Sequence, residues 1–514
     1  MTLTAGSVPA TRSGTTHDLI TALGGEPEGQ TSPSVYETGR LVALAPWLDG
    51  HDRRVAWLLD RQRPDGGWGG AGGYALVPTL SAVEALLTVL HRDGPAAAPA
   101  AAAHRGLAYL TGALRAGAPP DLPATDLIVP ALLTAVDRHL DGPAGPPPGL
   151  AEWAGRPRLP LPAGLDPARL TRVRGLLATG RPVPEKLAHA LEVAGELAYR
   201  APGVRPSASG AVGASPAATA AWLGGPEPGP ALDYLNAVAR PGPVPCASPI
   251  TVFERAWVLG ILVRAGVQVG APEPVLTELR AAVGPAGAAT APGLPADADT
   301  TAVTLYALAR LGRAPGVAPL AGFDTGRHFC TWPGEDGASL TTNAHVLDAL
   351  GEQPSAPGVT GARRRVTEWL LDRQEPDGRW EDRWHASPYY ATYGVLLALA
   401  DHAPDGAART AVERGWPGCW TRSARTAPGD GGTAPPRRPR TRCSPWPMRA
   451  GPATPGSRRR WRGGAVDCPS WTDATVNRHY GTTRTSTARR GSCAPRCWRP
   501  PAVPGRPGTG PHLP

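Results

Sequence analysis

Lysine is almost absent from this chain of 514 residues: Lys186 is the single lysine among 52 basic side chains. Apolar runs of membrane-spanning length are also lacking, and the N-terminus is polar without a signal-peptide pattern. We therefore expect a cytoplasmic protein with no stable membrane insertion. The seven cysteines show no zinc-ligand spacing, and five of them lie after residue 415. This distribution argues against a zinc-binding module.

The net charge of +9 is unevenly distributed along the chain. Residues 415–514 contain 18 arginines and three acidic residues, a balance of +15, so residues 1–414 carry a balance of −6. A basic folded domain would suggest nucleic-acid binding, whereas an acidic body with a basic tail does not. We expect no nucleic-acid partner, and the sequence gives no indication of an oligomeric state.

Two phrases of twelve residues are nearly identical, although about three hundred residues separate them. Phrase 1, residues 57–68, reads WLLDRQRPDGGW, and phrase 2, residues 369–380, reads WLLDRQEPDGRW. In each, an amphipathic helix ends at a Pro-Asp-Gly turn, which the Gln, Asp and Trp side chains can tie to the next helix. One such turn is common in helical proteins, but two copies with their flanking helices indicate a fold built from repeated units.

Outside the two phrases, the body of the chain consists of Ala- and Leu-rich runs of helix length, interrupted by clusters of Pro and Gly. Residues 76–91, 187–198 and 340–350 are examples, and the alternation typical of strands is lacking. The sequence therefore predicts an all-α fold.

The two phrases resemble the QW repeat of the triterpene and class II diterpene cyclase superfamily. Four further segments resemble the same superfamily and follow its order along the chain: TSPSVYETGRLVALAP at 31–46, VGASPAATAAWLG at 212–224, VFERAWVLGILVRA at 252–265 and RWHASPYYAT at 383–392. The resemblance covers most of residues 31–400.

This resemblance implies a βγ didomain of two α/α barrels, in which the γ barrel is inserted after the first β helix. It assigns residues 1–49 to the N-terminal segment of the β domain and residues 50–245 to the γ domain. Residues 246–414 then form the β domain that carries the catalytic motif. Residues 415–514 are expected to be a disordered tail.

An acidic motif, Asp297-Ala298-Asp299, opens the helical run TTAVTLYALARLG. On spacing alone, the motif is a helix N-cap with an acidic neighbour. In the cyclase context it resembles the D-x-D-D motif that protonates an alkene, which requires a buried and protonated carboxylic acid. The resemblance implies that Asp299 is the general acid and that Asp297 holds it by hydrogen bonding and by sharing charge. Thr300 stands where the family motif has a further Asp.

Other side chains receive candidate roles from the same resemblance. Asn343 matches the position that hydrogen-bonds the acid, although a helix-cap role fits equally well, and His345 on the same helix is expected to be structural. Trp384, Tyr389 and Tyr390 are candidates for binding the substrate cation through their ring faces, with ordinary ring packing as the alternative for each.

Lys186 is the candidate for contacting a diphosphate, because plant relatives place such a lysine in the same region, although a lone lysine on a helix is usually solvated. The chain contains no Asp-Asp pair, and hence no D-D-x-x-D motif of the class I terpene synthases. The diphosphate is therefore expected to remain on the product, with Mg²⁺ as its counter-ion and with unknown metal ligands.

The composition changes abruptly near residue 415. The tail contains one leucine and no Ile, Phe or Lys, a composition that cannot form a packed core. Back-translation of 415–432 with GC-rich codons, read from the third base, gives VAWLLDTQRPDGSWGRW, a third phrase. The same offset turns 433–449 into text ending AAEETAYAVLALADA, and the text from 473–487 contains REPPLWHDKDLY, which resembles the C-terminal segment of the family. We hypothesise a frameshift near Arg414, which resequencing of that codon would test.

Together these features imply a class II terpene cyclase, an intramolecular lyase or isomerase that acts on a linear prenyl diphosphate. The Asp-Thr-Thr variant resembles the motif of bacterial drimane-forming enzymes, which favours conversion of farnesyl diphosphate to drimenyl diphosphate. Chain length and overall pattern also fit cyclases that convert geranylgeranyl diphosphate to copalyl-, labdane- or clerodane-type diphosphates. A binding-only α/α toroid and an enzyme inactivated by its altered C-terminus are the remaining interpretations.

Overall fold

The computed structural model describes residues 16–423, except 26–27, 71, 116, 118, 336 and 404. The α-helices of the N-terminal part are α1 (Thr16–Gly25), α2 (Val35–Leu44), α3 (His51–Asp60), α4 (Leu76–Asp93), α5 (Ala97–Ala113), α6 (Thr125–Asp141), α7 (Pro167–Ala178), α8 (Glu185–Ala188), α9 (Pro216–Leu223) and α10 (Pro230–Ala239). Those of the C-terminal part are α11 (Thr251–Arg264), α12 (Glu273–Ala282), α13 (Ala298–Arg310), α14 (Leu340–Gly351), α15 (Val359–Leu371), α16 (Pro388–His402) and α17 (Gly406–Ser423).

The remaining regular structure is short. Within the described residues, four 3₁₀ helices connect the α-helices, at Gly72–Ala75, Ala151–Trp153, Leu191–Ala198 and Ala318–Phe323. A two-stranded antiparallel ribbon, β1 (Ala288–Ala289) and β2 (Ala296–Asp297), pairs Ala288 with Asp297. Apart from this ribbon, the all-α prediction is confirmed.

The first helical group surrounds α4, which packs against α2, α5 and α6. The sequence of α4 is apolar on most of its circumference, so its side chains are buried from several directions. The stretch Gly73–Asp93 is long and apolar enough to cross a membrane, but 78% of its apolar 18-residue segment is buried inside the protein. This degree of burial is typical of the core helix of a globular domain.

The second helical group has two layers. In one layer α11, α13, α14 and α16 form a row in which each helix packs against the next. In the other, α12 lies against α11 and α13, while α15 lies against α14 and α17, and α17 also contacts α16. The chain therefore alternates between the row and the outer layer from α11 to α13 and again from α14 to α17, whereas α13 and α14 follow each other within the row.

Along the sequence, the boundary between the hydrophobic clusters of the two groups falls near residue 245. Those of the first group draw on residues 41–244, and those of the second on residues 247–411 together with Leu23 of α1. The predicted N-terminal β segment, 1–49, is therefore divided. Helix α1 packs against α11 and α12, whereas α2 packs against α4 and α9 of the first group, because its apolar face is buried there.

Phrase 1 forms a clasp between successive helices. The indole of Trp68 is fully buried, and its Nε1–H donates to the carbonyl of Leu58 at 2.7 Å. The amide of Gln62 donates to the carbonyls of Gly66 and Ala102, each at 2.9 Å, and so joins the turn to α5.

Phrase 2 repeats this clasp in the second group. The buried Trp380 donates from Nε1 to the carbonyl of Leu370 at 2.8 Å. Gln374 donates to the carbonyls of Gly378 and Ala411, each at 2.8 Å, and so joins the turn to α17. The repeat seen in the sequence is thus a repeat of three-dimensional contacts.

The glycine of each turn is required by a close approach of the next helix. Gly66 has φ +87°, and a Cβ there would lie 2.5 Å from the carbonyl oxygen of Arg105. Gly378 has φ +86°, and a Cβ there would lie 2.3 Å from the carbonyl oxygen of Arg414. An L-side chain would be strained at both positions and would separate the turn from its helix.

The predicted disordered tail begins at residue 415, but α17 continues to Ser423, so its first nine residues are helical. Gly415 is buried, and a Cβ there would lie 3.0 Å from the ring of Trp380. The predicted start of the tail is therefore too early, because the helix that phrase 2 holds extends past it. The rest of the predicted tail, residues 424–514, lies outside the described residues.

Candidate active site

The acidic motif lies at the start of α13, and Asp297 is the N-cap of that helix. Its Oδ1 accepts from the backbone N–H of Thr300 at 2.6 Å, and its Oδ2 accepts from the Thr300 hydroxyl at 2.9 Å. Both carboxylate oxygens therefore hold the first turn of the helix, as expected for Asp at this position. This arrangement places Asp299 in the same first turn.

Hydrogen bonds to neighbouring segments hold the start of α13 in place. The Thr301 hydroxyl donates to the carbonyl of Asp297 at 2.5 Å and accepts from the backbone N–H of Ala288 in β1 at 2.8 Å. The backbone N–H of Ala298 donates to the carbonyl of Thr331 at 3.0 Å. The ribbon and the 331 loop thus hold the motif in place from two sides.

Asp299 pairs with His345, a residue of α14. The Nδ1 of His345 lies 2.7 Å from Oδ1 of Asp299, and Asp299 is only 6% exposed. Burial opposes protonation of the imidazole, but the charge of Asp299 and the hydrogen bond to it outweigh burial, so that the pKa of His345 is raised. The imidazole is therefore biased toward its cationic form, in which Nδ1 donates to Asp299.

Aromatic rings from the two end helices of the row lie beside this pair. The ring of Trp257 in α11 meets the ring of His345 edge-on, with centroids 5.6 Å apart and an interplanar angle of 88°. The Trp257 Nε1–H donates to the hydroxyl of Tyr390 in α16 at 3.4 Å. Burial, with a smaller contribution from the charge of Asp299, raises the pKa of Tyr390. The phenol is therefore neutral at physiological pH.

The charge of Asp299 influences the ionisation of Asp297. Burial, and then the nearby charge of Asp299, raise the pKa of Asp297 to about 7. Its hydrogen bonds to Thr300 act in the opposite direction and are outweighed. Asp297 can thus retain a proton near neutral pH.

Asn343 does not occupy the place predicted for it. Its Oδ1 accepts from the backbone N–H of Phe329 at 2.8 Å, and its Nδ2 donates to the carbonyls of Phe329 and Ser339, each at 2.9 Å. These bonds use both amide hydrogens, and the hydrogen bond to Asp299 comes from His345 instead. The contact predicted for Asn343 therefore belongs to His345, which sequence reasoning took as structural.

Asp382 is a further structural residue of the site that sequence reasoning missed. Its Oδ1 accepts from the backbone N–H of Leu340 at 2.6 Å and from the Ser339 hydroxyl at 2.8 Å. Its Oδ2 accepts from the backbone N–H of Trp384 at 2.9 Å. Asp382 thus joins the start of α14, which carries His345, to the segment that leads into α16. The position next to the RWHASPYY segment was the only signal available.

Within the described residues, most of the other side chains predicted for the site lie outside the cluster around Asp299. The ring centroids of Trp384 and Trp332 are 5.2 Å apart, and the guanidinium of Arg383 lies over the ring of Trp384, 5.1 Å from its centroid. Tyr389 is half-buried at the start of α16, and Lys186 is exposed on the single turn of α8. Of the four residues predicted to bind substrate, only Tyr390 lies in the cluster around Asp299.

The expected Mg²⁺ ion has no evident ligand set. In the part of the chain that the structure describes, no group of three or more His, Cys, Asp or Glu side chains could hold a metal ion. We therefore derive no step through a metal, and the role of Mg²⁺ as a diphosphate counter-ion stays a prediction.

Known proteins of similar sequence show the family to which the chain belongs. No protein-family model matches the chain. An ent-copalyl diphosphate synthase of Streptomyces sp. (strain KO-3988) is 44% identical over 395 residues, which are 74% of this chain and 75% of the relative. A labda-7,13-dienyl diphosphate synthase of Streptomyces clavuligerus is 41% identical over 441 residues, or 81% of this chain and 80% of the relative.

Solved structures show the same relationship. The ent-copalyl diphosphate synthase from Streptomyces platensis matches with a TM-score of 0.73 and 43% identity, covering 78% of this chain and 81% of that one. These relatives and the shared fold define a terpene cyclase of class II. The chain belongs to the family of bacterial class II diterpene cyclases and is an enzyme of the cyclising isomerase class. The ent-copalyl diphosphate synthase of Arabidopsis thaliana, at 20% identity and a TM-score of 0.55, shares the fold.

Proposed function

We propose that this protein cyclises geranylgeranyl diphosphate to a bicyclic copalyl-type diphosphate and retains the diphosphate in the product. The relatives that match over about three quarters of the chain carry names of diterpenoid diphosphate synthases, which supports the C20 substrate. The farnesyl diphosphate interpretation rested on the Asp-Thr-Thr variant of the motif and finds no support among these relatives. We therefore prefer the geranylgeranyl alternative.

The single observation that carries the proposal is the buried hydrogen bond between Asp299 and His345. Because Oδ1 of Asp299 accepts from His345, a proton on the neutral carboxyl group belongs on Oδ2. The N–H that the imidazole donates to Oδ1 stabilises the carboxylate left behind and so makes that proton easier to transfer to an alkene carbon. The cation formed on the substrate then drives ring closure, and loss of a proton ends the reaction.

Asp297 supports this step without touching the alkene. Its oxygens hold Thr300, so that the first turn of α13 keeps its geometry when the charge of Asp299 changes. A further Asp in place of Thr300 would add a third carboxyl group to the buried turn. The Thr hydroxyl supplies a neutral donor there instead, which lowers the electrostatic cost of the site.

The rings of Trp257 and Tyr390 supply surfaces suited to a carbocation. Both lie beside the acid, and neither presents a charged nucleophile that would trap the cation. The ring of His385 lies 4.3 Å from the ring of Tyr390 and fixes its orientation. We infer that this aromatic wall stabilises the intermediate and excludes water from it.

The test is incubation of the full chain, and of a version with the reading frame restored after residue 414, with geranylgeranyl diphosphate. After phosphatase treatment we expect bicyclic C20 alcohols from the restored enzyme. Asp299→Asn removes the transferable proton with little change in shape and should reduce turnover at least about 1,000-fold. The matched control is Asp372→Asn, at an exposed residue after α15, and it should retain turnover. Full activity of the Asp299 variant would exclude the proposed chemistry.

A further inference from the structure

Arg383 joins the two helical groups. Its Nε and one terminal nitrogen lie 2.8 Å and 2.6 Å from Oδ2 of Asp121, which belongs to the segment between α5 and α6 of the first group. Its other terminal nitrogen lies 3.4 Å from Oε2 of Glu335, in the 331 loop of the second group. The side chains of Arg383 and Glu335 are only 11% and 8% exposed. A largely buried guanidinium is therefore held between one acid of each group.

The 331 loop approaches this guanidinium closely. Gly337 has φ +95°, and a Cβ there would lie 3.0 Å from a terminal nitrogen of Arg383. An L-side chain would be strained at this position and would push the loop away from the arginine. The guanidinium also lies over the ring of Trp384. The loop is thus shaped to the arginine, so that a change in one is expected to displace the other.

The contacts continue from the 331 loop to the acidic motif. Oε1 of Glu335 accepts from the backbone N–H of Thr331 at 2.5 Å. The carbonyl of Thr331 accepts at 3.0 Å from the backbone N–H of Ala298, which stands between the two aspartates of the motif. One series of polar contacts therefore leads from the first group to the start of α13, through Asp121, Arg383, Glu335, Thr331 and Ala298.

The residue before Arg383 supports the helix that carries the partner of the acid. Asp382 accepts from the backbone N–H of Leu340 at the start of α14, and His345 lies on that helix. Two consecutive residues of one segment thus support the helices that carry Asp299 and His345. A displacement of this segment is therefore expected to change the geometry of the pair.

We propose that Arg383 is a positioning residue, through which the placement of the acidic motif depends on contact between the two helical groups. It acts on Asp299 through Glu335 and the 331 loop and needs no contact with the substrate. The inference rests on the proposed function, since the position of the acid matters to an enzyme that protonates its substrate. It gives the first group a part in the reaction, although the acid lies in the second.

Loss of Arg383 should weaken the support of α13 through Glu335. Burial raises the pKa of Glu335, while the hydrogen bond from Thr331 and the charge of Arg383 lower it. A buried carboxylate without its cation is costly, so the carboxyl group takes up a proton or the 331 loop moves. Either change weakens the acceptor for Thr331, and the start of α13 then loses one of its two supports.

The experiment uses the titration of His345 as a reporter that needs no turnover. Burial lowers the pKa of His345, whereas the charge of Asp299 and the hydrogen bond to it raise that pKa. In the full chain labelled with ¹³C-histidine, the NMR signal of His345 is assigned by its loss in His345→Phe. Arg383→Met should lower the pKa of His345 by about 0.5 unit or more, because the acid moves away. A direct effect of the lost cation would raise it, so the sign separates the two explanations.

The matched control is Arg310→Met. Arg310 pairs with Glu352 at 3.2 Å and so joins the end of α13 to the end of α14, away from the motif. Its loss should change the pKa of His345 by less than about 0.2 unit. Asp348 and Arg264, which also act on this pKa, are unchanged in both variants.

A second substitution tests the route through Glu335. When Glu335→Gln is combined with Arg383→Met, the amide oxygen can still accept from Thr331 and no buried charge is left unpaired. This double variant should recover the pKa of His345 to within about 0.2 unit of wild type. In the form of the enzyme that converts geranylgeranyl diphosphate, Arg383→Met should lower kcat about tenfold or more, with KM changed less than about threefold. The double variant should recover most of that loss.

Asp121→Asn carries the test if Arg383→Met does not fold. The side chain of Asp121 is 53% exposed, so this variant retains the fold, and the pKa of His345 should shift in the same direction by a smaller amount. An unchanged pKa of His345 in the variant that folds, or no recovery in the double variant, would overturn the proposal. Failure of the wild-type enzyme to convert geranylgeranyl diphosphate would refute the proposed function, whereas the titration would still decide the role of Arg383.

Discussion

His345 should contribute to catalysis through the acid and not through the substrate. Replacement by Phe keeps an aromatic ring against Trp257 but removes the hydrogen bond to Oδ1 of Asp299. A hydrogen bond that involves a charged group contributes about 1.5–3 kcal/mol. If this bond is strengthened in the transition state, its loss lowers kcat roughly 10–150-fold.

The assay is turnover of geranylgeranyl diphosphate at saturating concentration, with the dephosphorylated product quantified by gas chromatography. The KM should change little, because His345 acts on the proton donor. The pH profile provides a second readout. Turnover should fall in both enzymes as Asp299 loses its proton, but the pH of this decline should be shifted in His345→Phe, because the imidazole no longer bonds to the acid.

The matched control is His91→Phe. The ring of His91 stacks on His139 at 5.1 Å in the first helical group, so that variant changes an equivalent ring contact away from the acid. It should retain turnover within about threefold of wild type. If His345→Phe folds normally and has wild-type kcat and pH dependence, the assignment of His345 as the residue that orients the acid is refuted.

Two further predictions concern stability. Because the pKa of Asp297 is raised in the folded state, its neutral form contributes to the free energy of unfolding. This contribution is complete below about pH 4 and is lost as the pH rises through about 7. It amounts to at most about 4 kcal/mol. Asp297→Asn should therefore flatten the decrease in unfolding free energy between pH 5 and pH 8 in urea titrations, and an unchanged slope would contradict the raised pKa. Gln62→Ala and Gln374→Ala each remove the two hydrogen bonds that the amide nitrogen donates in a clasp and the one that its Oε1 accepts from Arg105 or Arg414. Each should lower the unfolding free energy by about 1–3 kcal/mol. Gln353→Ala, whose side-chain Nε2 has no hydrogen-bond partner in the described structure, is the control, and equal losses in all three variants would refute the role of the clasp.

The parts of the fold that sequence reasoning predicted are those in which a few consecutive residues determine their own geometry. The Gln, Gly and Trp of each phrase bond within the turn and to the next helix, so that two copies of the phrase predict two copies of the clasp. Asp297 caps the helix that follows it through Thr300, three residues away, and spacing alone predicted that cap.

The parts that could not be predicted depend on how helices pack. Asp299 and His345 are 46 residues apart, and they meet because α13 and α14 lie side by side. Asn343 stands on the same helix, and nothing in its local sequence shows that it faces the 329–339 loop. Trp257 belongs to the F-E-x-x-W segment, but only the structure brings its ring to His345.

The domain boundaries illustrate the same limit. The tyrosine- and acid-containing segment that begins at residue 31 was assigned to the β domain, yet Glu37 of α2 accepts from the backbone N–H of Ala217 at 2.7 Å in the first group. The carboxylate of Glu37 also accepts from the Ser215 hydroxyl at 3.0 Å. A buried acid must find such partners, and its partners lie about 180 residues further along the chain.

The central claim is that a proton starts the reaction and that the diphosphate is retained, and turnover in D₂O tests it most directly. The restored enzyme is incubated with geranylgeranyl diphosphate in D₂O, and the intact product and any released pyrophosphate are quantified by mass spectrometry. We predict a bicyclic C20 diphosphate with one deuterium from solvent and no pyrophosphate. A product without solvent deuterium, or release of pyrophosphate in step with turnover, would contradict protonation by Asp299.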